Sequence, residues 1–124
     1  MTDWKNNGVI YFFVKTYNAF LNSIRGIFRA LKEEYAFQVE FFLSLFLIPA
    51  AFFIGKDIFE IVLLIGSTLL ILIVELLNTA IETILNRISV EENDLTKYAK
   101  DAASGAVLFS LILWLITWSL IVIY

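Results

Sequence analysis

The chain has 124 residues, 60% of them hydrophobic, a single proline and a formal net charge of −3. It is too apolar for a soluble domain and too short for two, so residues 1–124 read as one small integral-membrane domain. Nine basic against twelve acidic residues leave no broad basic surface for nucleic acid, and the absence of cysteine and histidine excludes disulfides, thiol nucleophiles, ordinary zinc sites and histidine bases.

The first ten residues, MTDWKNNGVI, lack the basic end, apolar stretch and small-residue exit of a signal peptide, so the N-terminus is expected to stay on the chain. From 13 to 32 the polar positions Lys15, Asn18, Asn22, Arg25, Arg29 and Lys32 recur every three or four residues, and so do Phe13, Tyr17, Phe20, Ile24, Ile27 and Leu31. This spacing predicts an amphipathic helix, about 10–33, whose basic face suits anionic headgroups and which lies along the membrane surface. A first span follows at about 36–54, with Pro49 removing one backbone hydrogen bond and bending it modestly. Residues 61–74 carry no charge, and the helical pattern continues to 88. At 1.5 Å per residue, 58–88 measures roughly 46 Å against a bilayer core of about 30 Å, so the second span (about 58–86) emerges into water at its C-terminal turns. The segment SVEENDLTK, 89–97, reads as a polar loop, and 102–124 as a charge-free third span in which Trp114, Trp118 and Tyr124 sit where belt residues anchor a helix. Basic residues gather before span one and between spans two and three, with Lys56 alone on the other side. That asymmetry predicts a cytoplasmic N-terminus and a cytoplasmic loop at 89–101.

The chemistry concentrates in VELLNTAIETILNRI, 74–88, where Glu75, Asn78, Glu82 and Asn86 interrupt an apolar helix. At about 100° per residue they fall within about 80° of arc, on one face. Ionisable groups at membrane depth are costly, by roughly 2.5 kcal/mol or more each, so the stripe marks a functional site. Glu75 lies seven residues from Glu82, about 10 Å deeper, where it suits a general base for a hydroxyl just below the headgroups. Glu34, Glu82 and Asp101, near one membrane face, can gather around a hard cation such as Mg²⁺, which needs only one or two protein carboxylates when phosphate oxygens fill its other positions. Lys100 offers the cation that a polyphosphate would require. Duller readings stand beside these: Glu82 facing water at a helix end, Asn78 and Asn86 as polar glue between helices, Glu40 paired or snorkelling, and the Ala-Ala-Ser-Gly-Ala run at 102–106 as close helix packing. There is no Walker A motif, since Gly55-Lys-Asp lacks both the upstream glycine and the following Ser or Thr.

ELLNTAIE (75–82), followed after a polar loop by KYAKDAASGAV (97–107), resembles the bacterial integral-membrane diacylglycerol kinase family, and the similarity extends over nearly the whole chain. The resemblance implies an all-α fold with a surface helix and three transmembrane helices, a homotrimer with sites between subunits, and transfer of the γ-phosphate of MgATP to a lipid hydroxyl at the cytoplasmic (inner) membrane of a bacterium. It further implies Glu75 as general base, Glu34 and Glu82 as ligands of the nucleotide-bound Mg²⁺, and nucleotide contacts from Glu91, Glu92, Asn93, Lys100 and Asp101. Lys15 and Asn22 align with further ATP-contacting positions, where the family carries other residues. Glu40, Asn78, Ser104 and Trp118 fall with Glu75 on the lipid-substrate side. EYAFQVE favours diacylglycerol, giving phosphatidic acid as product, while the alanine pair after Lys-Asp leans toward a sister branch that phosphorylates undecaprenol. A cation conduit lined by Glu75, Asn78 and Glu82, or an oligomeric scaffold, are the non-enzymatic alternatives.

Overall fold

A computed structural model describes residues 7–88 and 93–124, and all of its regular structure is helical: α1 (Gly8–Glu33), α2 (Tyr35–Ile54), α3 (Ile58–Ile88) and α4 (Asp94–Ile123). The side chain of Asn7 starts α1 by accepting from the N–H groups of Val9 (3.2 Å) and Ile10 (3.4 Å). One extended residue, Glu34, separates α1 from α2. Its N–H donates to Ala30 O at 2.9 Å and its carbonyl accepts from Gln38 N at 3.0 Å, so the elbow is closed by backbone alone. The Glu34 carboxylate makes no capping bond and is left for other work.

The α2–α3 turn is locked from both sides. Glu60 N–H donates to Asp57 Oδ1 at 2.9 Å while Lys56 N–H donates to Glu60 Oε2 at 2.8 Å, a reciprocal arrangement of the capping-box kind. Lys56 Nζ donates to the backbone carbonyl of Tyr124, tying the far end of α4 to this turn. Gly55 is required for room: a Cβ there would meet Ile61 Cγ1 at 2.6 Å and Ile61 N at 3.0 Å.

The helix α3 packs against each of α1, α2 and α4. Its inward residues Leu64, Ser67, Thr68, Ile71 and Glu75 are buried. Ala51, Leu64 and Trp118 form the core, with Leu47, Ile65 and Trp114 packed around it. Ser44, Ser67 and Ser110 are also buried, and each hydroxyl donates to a carbonyl of its own helix. Outside, the helices present large apolar side chains such as Phe53 (89% exposed) and Phe109 (76%). Three of them, α2, α3 and α4, are long and apolar enough to cross a membrane, and outward apolar surface is what hydrocarbon solvates.

Two expectations are corrected. The polar segment 89–97 is not loop throughout, because Asp94 to Lys97 form the first turn of α4. Asn93 Oδ1 caps that turn by accepting from Leu95 N at 2.8 Å, and the cap outweighs the polarity of the residues behind it. Nor do Trp114 and Trp118 both stand outward as belt residues. Both indole N–H groups donate to Thr68 Oγ1, at 3.1 and 3.2 Å, and Trp118 is buried. An indole N–H inside a bundle needs an acceptor, and the buried hydroxyl of Thr68 supplies it.

Candidate functional site

The C-terminal half of α3 carries the polar stripe. Glu75 is buried at 6% exposure, packed inward by the apolar residues on either side of it in sequence. It lies close enough to Glu34 and Glu82 to feel their charges, and Glu40 of α2 in turn feels Glu75. Four carboxylates, one from the α1–α2 elbow, one from α2 and two from α3, thus share one electrostatic neighbourhood. Three of them, Glu34, Glu40 and Glu82, are half-buried.

Asn78 Nδ2 donates to Glu82 Oε1 at 3.4 Å, a long bond that aims the carboxylate along the stripe. The same amide's Oδ1 is buried with no partner, as are Glu40 Oε2 and Thr79 Oγ1. Unsatisfied polar atoms are rare in finished interiors, and these three lie on α2 and α3. At the end of the stripe, Lys100 Nζ donates to Asn86 Oδ1 at 2.7 Å, joining α4 to α3.

The remaining expected residues are placed less centrally. Asp101, Ser104 and Asn93 are exposed on α4 or at its cap. Lys15 and Asn22 are exposed on α1, with Lys15 Nζ 5.9 Å from the ring centre of Tyr11. Trp118 sits in the core, bonded to Thr68. Glu91 and Glu92 lie outside the described residues. Among the described residues no three Asp or Glu side chains come together as a metal cage, so the expected grouping of Glu34, Glu82 and Asp101 around one ion is not formed within a single chain. Asp101 is exposed while Glu34 and Glu82 are half-buried.

A cleft of about 580 Å³ opens between α1 and α3. Its wall is mostly apolar, with Ile27, Ala30, Leu76 and Ala80, and its polar groups are Ser23, Arg29, Glu33, Glu34, Thr79 and Thr83. Arg29 Nε donates to both oxygens of Glu33 at 3.0 Å. Arg29 had only the look of a headgroup-facing residue in the sequence, and Thr79 and Thr83 that of filler in an apolar helix. The signal that finds them is their spacing of four and eight residues from Glu75, which returns them to nearly its face.

The sequence matches the family described as prokaryotic diacylglycerol kinase over residues 21–122. Its relatives include the diacylglycerol kinase of Haemophilus influenzae, 44% identical over 96 residues (77% of this chain and 81% of that one). That of Pseudomonas aeruginosa is 41% identical over 106 residues, 86% of either chain. One from Helicobacter pylori is 36% identical over 118 residues, 95% of this chain and 92% of its own length.

Proposed function

The chain belongs to the prokaryotic diacylglycerol kinase family, and from that premise we propose that this lipid kinase moves the γ-phosphate of MgATP onto the free hydroxyl of diacylglycerol, yielding phosphatidic acid and ADP. The observation that carries the reading is Glu75, a carboxylate 6% exposed inside an otherwise apolar helix with Glu34, Glu40 and Glu82 around it.

Glu75 takes the proton of the lipid hydroxyl as the oxygen forms its bond to the γ-phosphorus and the bond from that phosphorus to the β–γ bridging oxygen breaks. Phosphoryl transfer asks the protein for little beyond charge neutralisation, in-line positioning and that base. Glu34, uncapped at the elbow, and Glu82, aligned by Asn78, form a two-carboxylate donor set. Such a set fits Mg²⁺ that arrives already bound to phosphate oxygens. Lys100, held at Asn86, supplies positive charge for the polyphosphate. Asp101 and Asn93, with Glu91 and Glu92, complete the nucleotide side, to which Lys15 and Asn22 of α1 are also assigned. Glu40, Asn78, Ser104 and Trp118 belong to the lipid side. The chain acts as a homotrimer in the cytoplasmic membrane, N-terminus inward, with α1 along the surface.

The Ala102–Ala103 pair favours a second reading, undecaprenol as acceptor, and the two are alternatives for one site. A conduit is disfavoured because the polar face runs outward only to Thr68, where two indoles close on the hydroxyl. The test is transfer of label from γ-labelled ATP by purified protein in mixed micelles offered a short-chain diacylglycerol and undecaprenol together. Label in phosphatidic acid is expected, label mainly in polyprenyl phosphate moves the chain to the second reading, and no label from folded protein overturns both.

A further inference from the structure

Asn86 follows Glu82 by one helical turn, about 6 Å along α3 and roughly 40° round its axis, so the two side chains are neighbours on one face. Lys100 arrives from the other helix, in the second turn of α4. Its Nζ donates to Asn86 Oδ1 at 2.7 Å. A lysine ammonium on its flexible four-carbon stem sweeps a wide volume unless something holds it. Here the hold comes from α3, and it anchors the charge at the end of the stripe, one turn past Glu82.

The charges at this end do not cancel each other. Among the described residues the ion pair is Arg29 with Glu33 on α1. Glu82 and Lys100 have amide partners instead: Glu82 Oε1 accepts from Asn78 Nδ2 at 3.4 Å, and the ammonium donates to Asn86. An ammonium carries three N–H donors, of which Asn86 takes one. The bond adds little to the hold of one helix on the other, because Asn86 is exposed and the two indoles on Thr68 already tie α4 to α3. Its use lies in where it leaves the ammonium. We propose that Asn86 is a positioning residue for the nucleotide: its amide oxygen holds the Lys100 ammonium one helical turn from Glu82, so that the cation meets the polyphosphate on the same face as the carboxylate that meets its metal. The proposal rests on the lipid-kinase reading and names a residue through which the phosphate-binding lysine acts.

The test reads nucleotide binding without lipid, by displacing a fluorescent ATP analogue from purified protein in micelles with MgATP. Asn86→Ala, which puts a good helix former on an exposed face, should weaken MgATP about three- to tenfold, between the worth of an exposed ion contact and that of a hydrogen bond to a charged group. Asn86→Asp keeps an acceptor oxygen at the same reach and should stay within about twofold of wild type. Lys100→Met should weaken MgATP at least as much as Asn86→Ala, and combining the two should change nothing further, because no ammonium is left to hold. In the labelled-ATP assay Asn86→Ala should raise KM for MgATP by the same factor and leave KM for diacylglycerol and the dodecyl sulfate unfolding midpoint unchanged. Wild-type affinity in Asn86→Ala, a loss in Asn86→Asp as large as in Asn86→Ala, or losses that add in the double variant overturns the proposal. So does a lowered midpoint with equal weakening of nucleotide and lipid, the mark of glue between helices. MgATP binding that depends on Asn86 without phosphate transfer would leave Asn86 standing and remove the kinase, and transfer with no dependence on Asn86 would do the reverse.

Discussion

Thr68→Val is the sharpest test of how the bundle is held. Thr68 Oγ1 accepts from Trp114 Nε1 and Trp118 Nε1 and donates to Leu64 O, so one side chain on α3 closes three hydrogen bonds and ties α4 to the central helix. Valine preserves the shape and removes the acceptor. Thr68 is 4% exposed and Trp118 8%, so water cannot take over, and the half-buried Trp114 loses less. Interhelical hydrogen bonds in membrane proteins average about 0.6 kcal/mol and reach about 1.7, and a stranded buried donor costs about 1–3 kcal/mol. The expected loss is about 2 kcal/mol, or roughly thirtyfold in the folded-to-unfolded ratio. The assay is dodecyl sulfate titration of purified protein in maltoside micelles, followed by far-ultraviolet circular dichroism, with Trp118→Phe and the double variant completing a cycle. Thr68→Ser should retain most of the stability, and the cycle should show coupling of about 1 kcal/mol. A loss under about 0.5 kcal/mol for Thr68→Val, or costs that simply add, would refute the view that this hydroxyl joins the helices.

Glu75→Gln keeps the size and removes the base, and should lower kcat at least about a hundredfold while nucleotide binding, measured by equilibrium dialysis of labelled ATP, stays near wild type. Glu82→Gln and Glu34→Gln should each raise KM for MgATP about tenfold or more, with partial recovery at high Mg²⁺ in the same transfer assay; an unchanged KM would remove them from the metal. Gly55→Ala should destabilise the protein by about 1–3 kcal/mol in the dodecyl sulfate titration, because the added methyl meets backbone as well as the Ile61 side chain.

The three apolar helices were legible because each is a long run whose few charges lie at its ends or on one stripe, and a lone Glu between Val74 and Leu76 announced its own burial. The start of α4 was misread because composition outweighed a cap: Asn93 before Asp94 is a helix-start signal inside a segment that is polar throughout. The inward turn of Trp114 and Trp118 depends on Thr68, 46 and 50 residues away, and no local pattern records that meeting. Thr79 also lines a cleft walled by α1, which belongs to packing between helices. The bond from Lys100 to Asn86 likewise joins two residues that the sequence could place on their own helices and not against each other.

Glu75 and Glu82 ride on one uninterrupted helix, so their separation is set by covalent geometry and not by the folding of a loop. Their depth is set differently, by where the charge-free part of α3 comes to rest in the lipid. A thicker bilayer draws the outer glutamate toward hydrocarbon, a thinner one lifts the inner glutamate toward water, and tilting of a 31-residue helix absorbs only part of the difference. In the proposed orientation the acyl-chain length of the host membrane therefore acts as a tuning variable for the enzyme. An organism that remodels its lipids with temperature would adjust this protein's activity without touching its gene or its nucleotide supply.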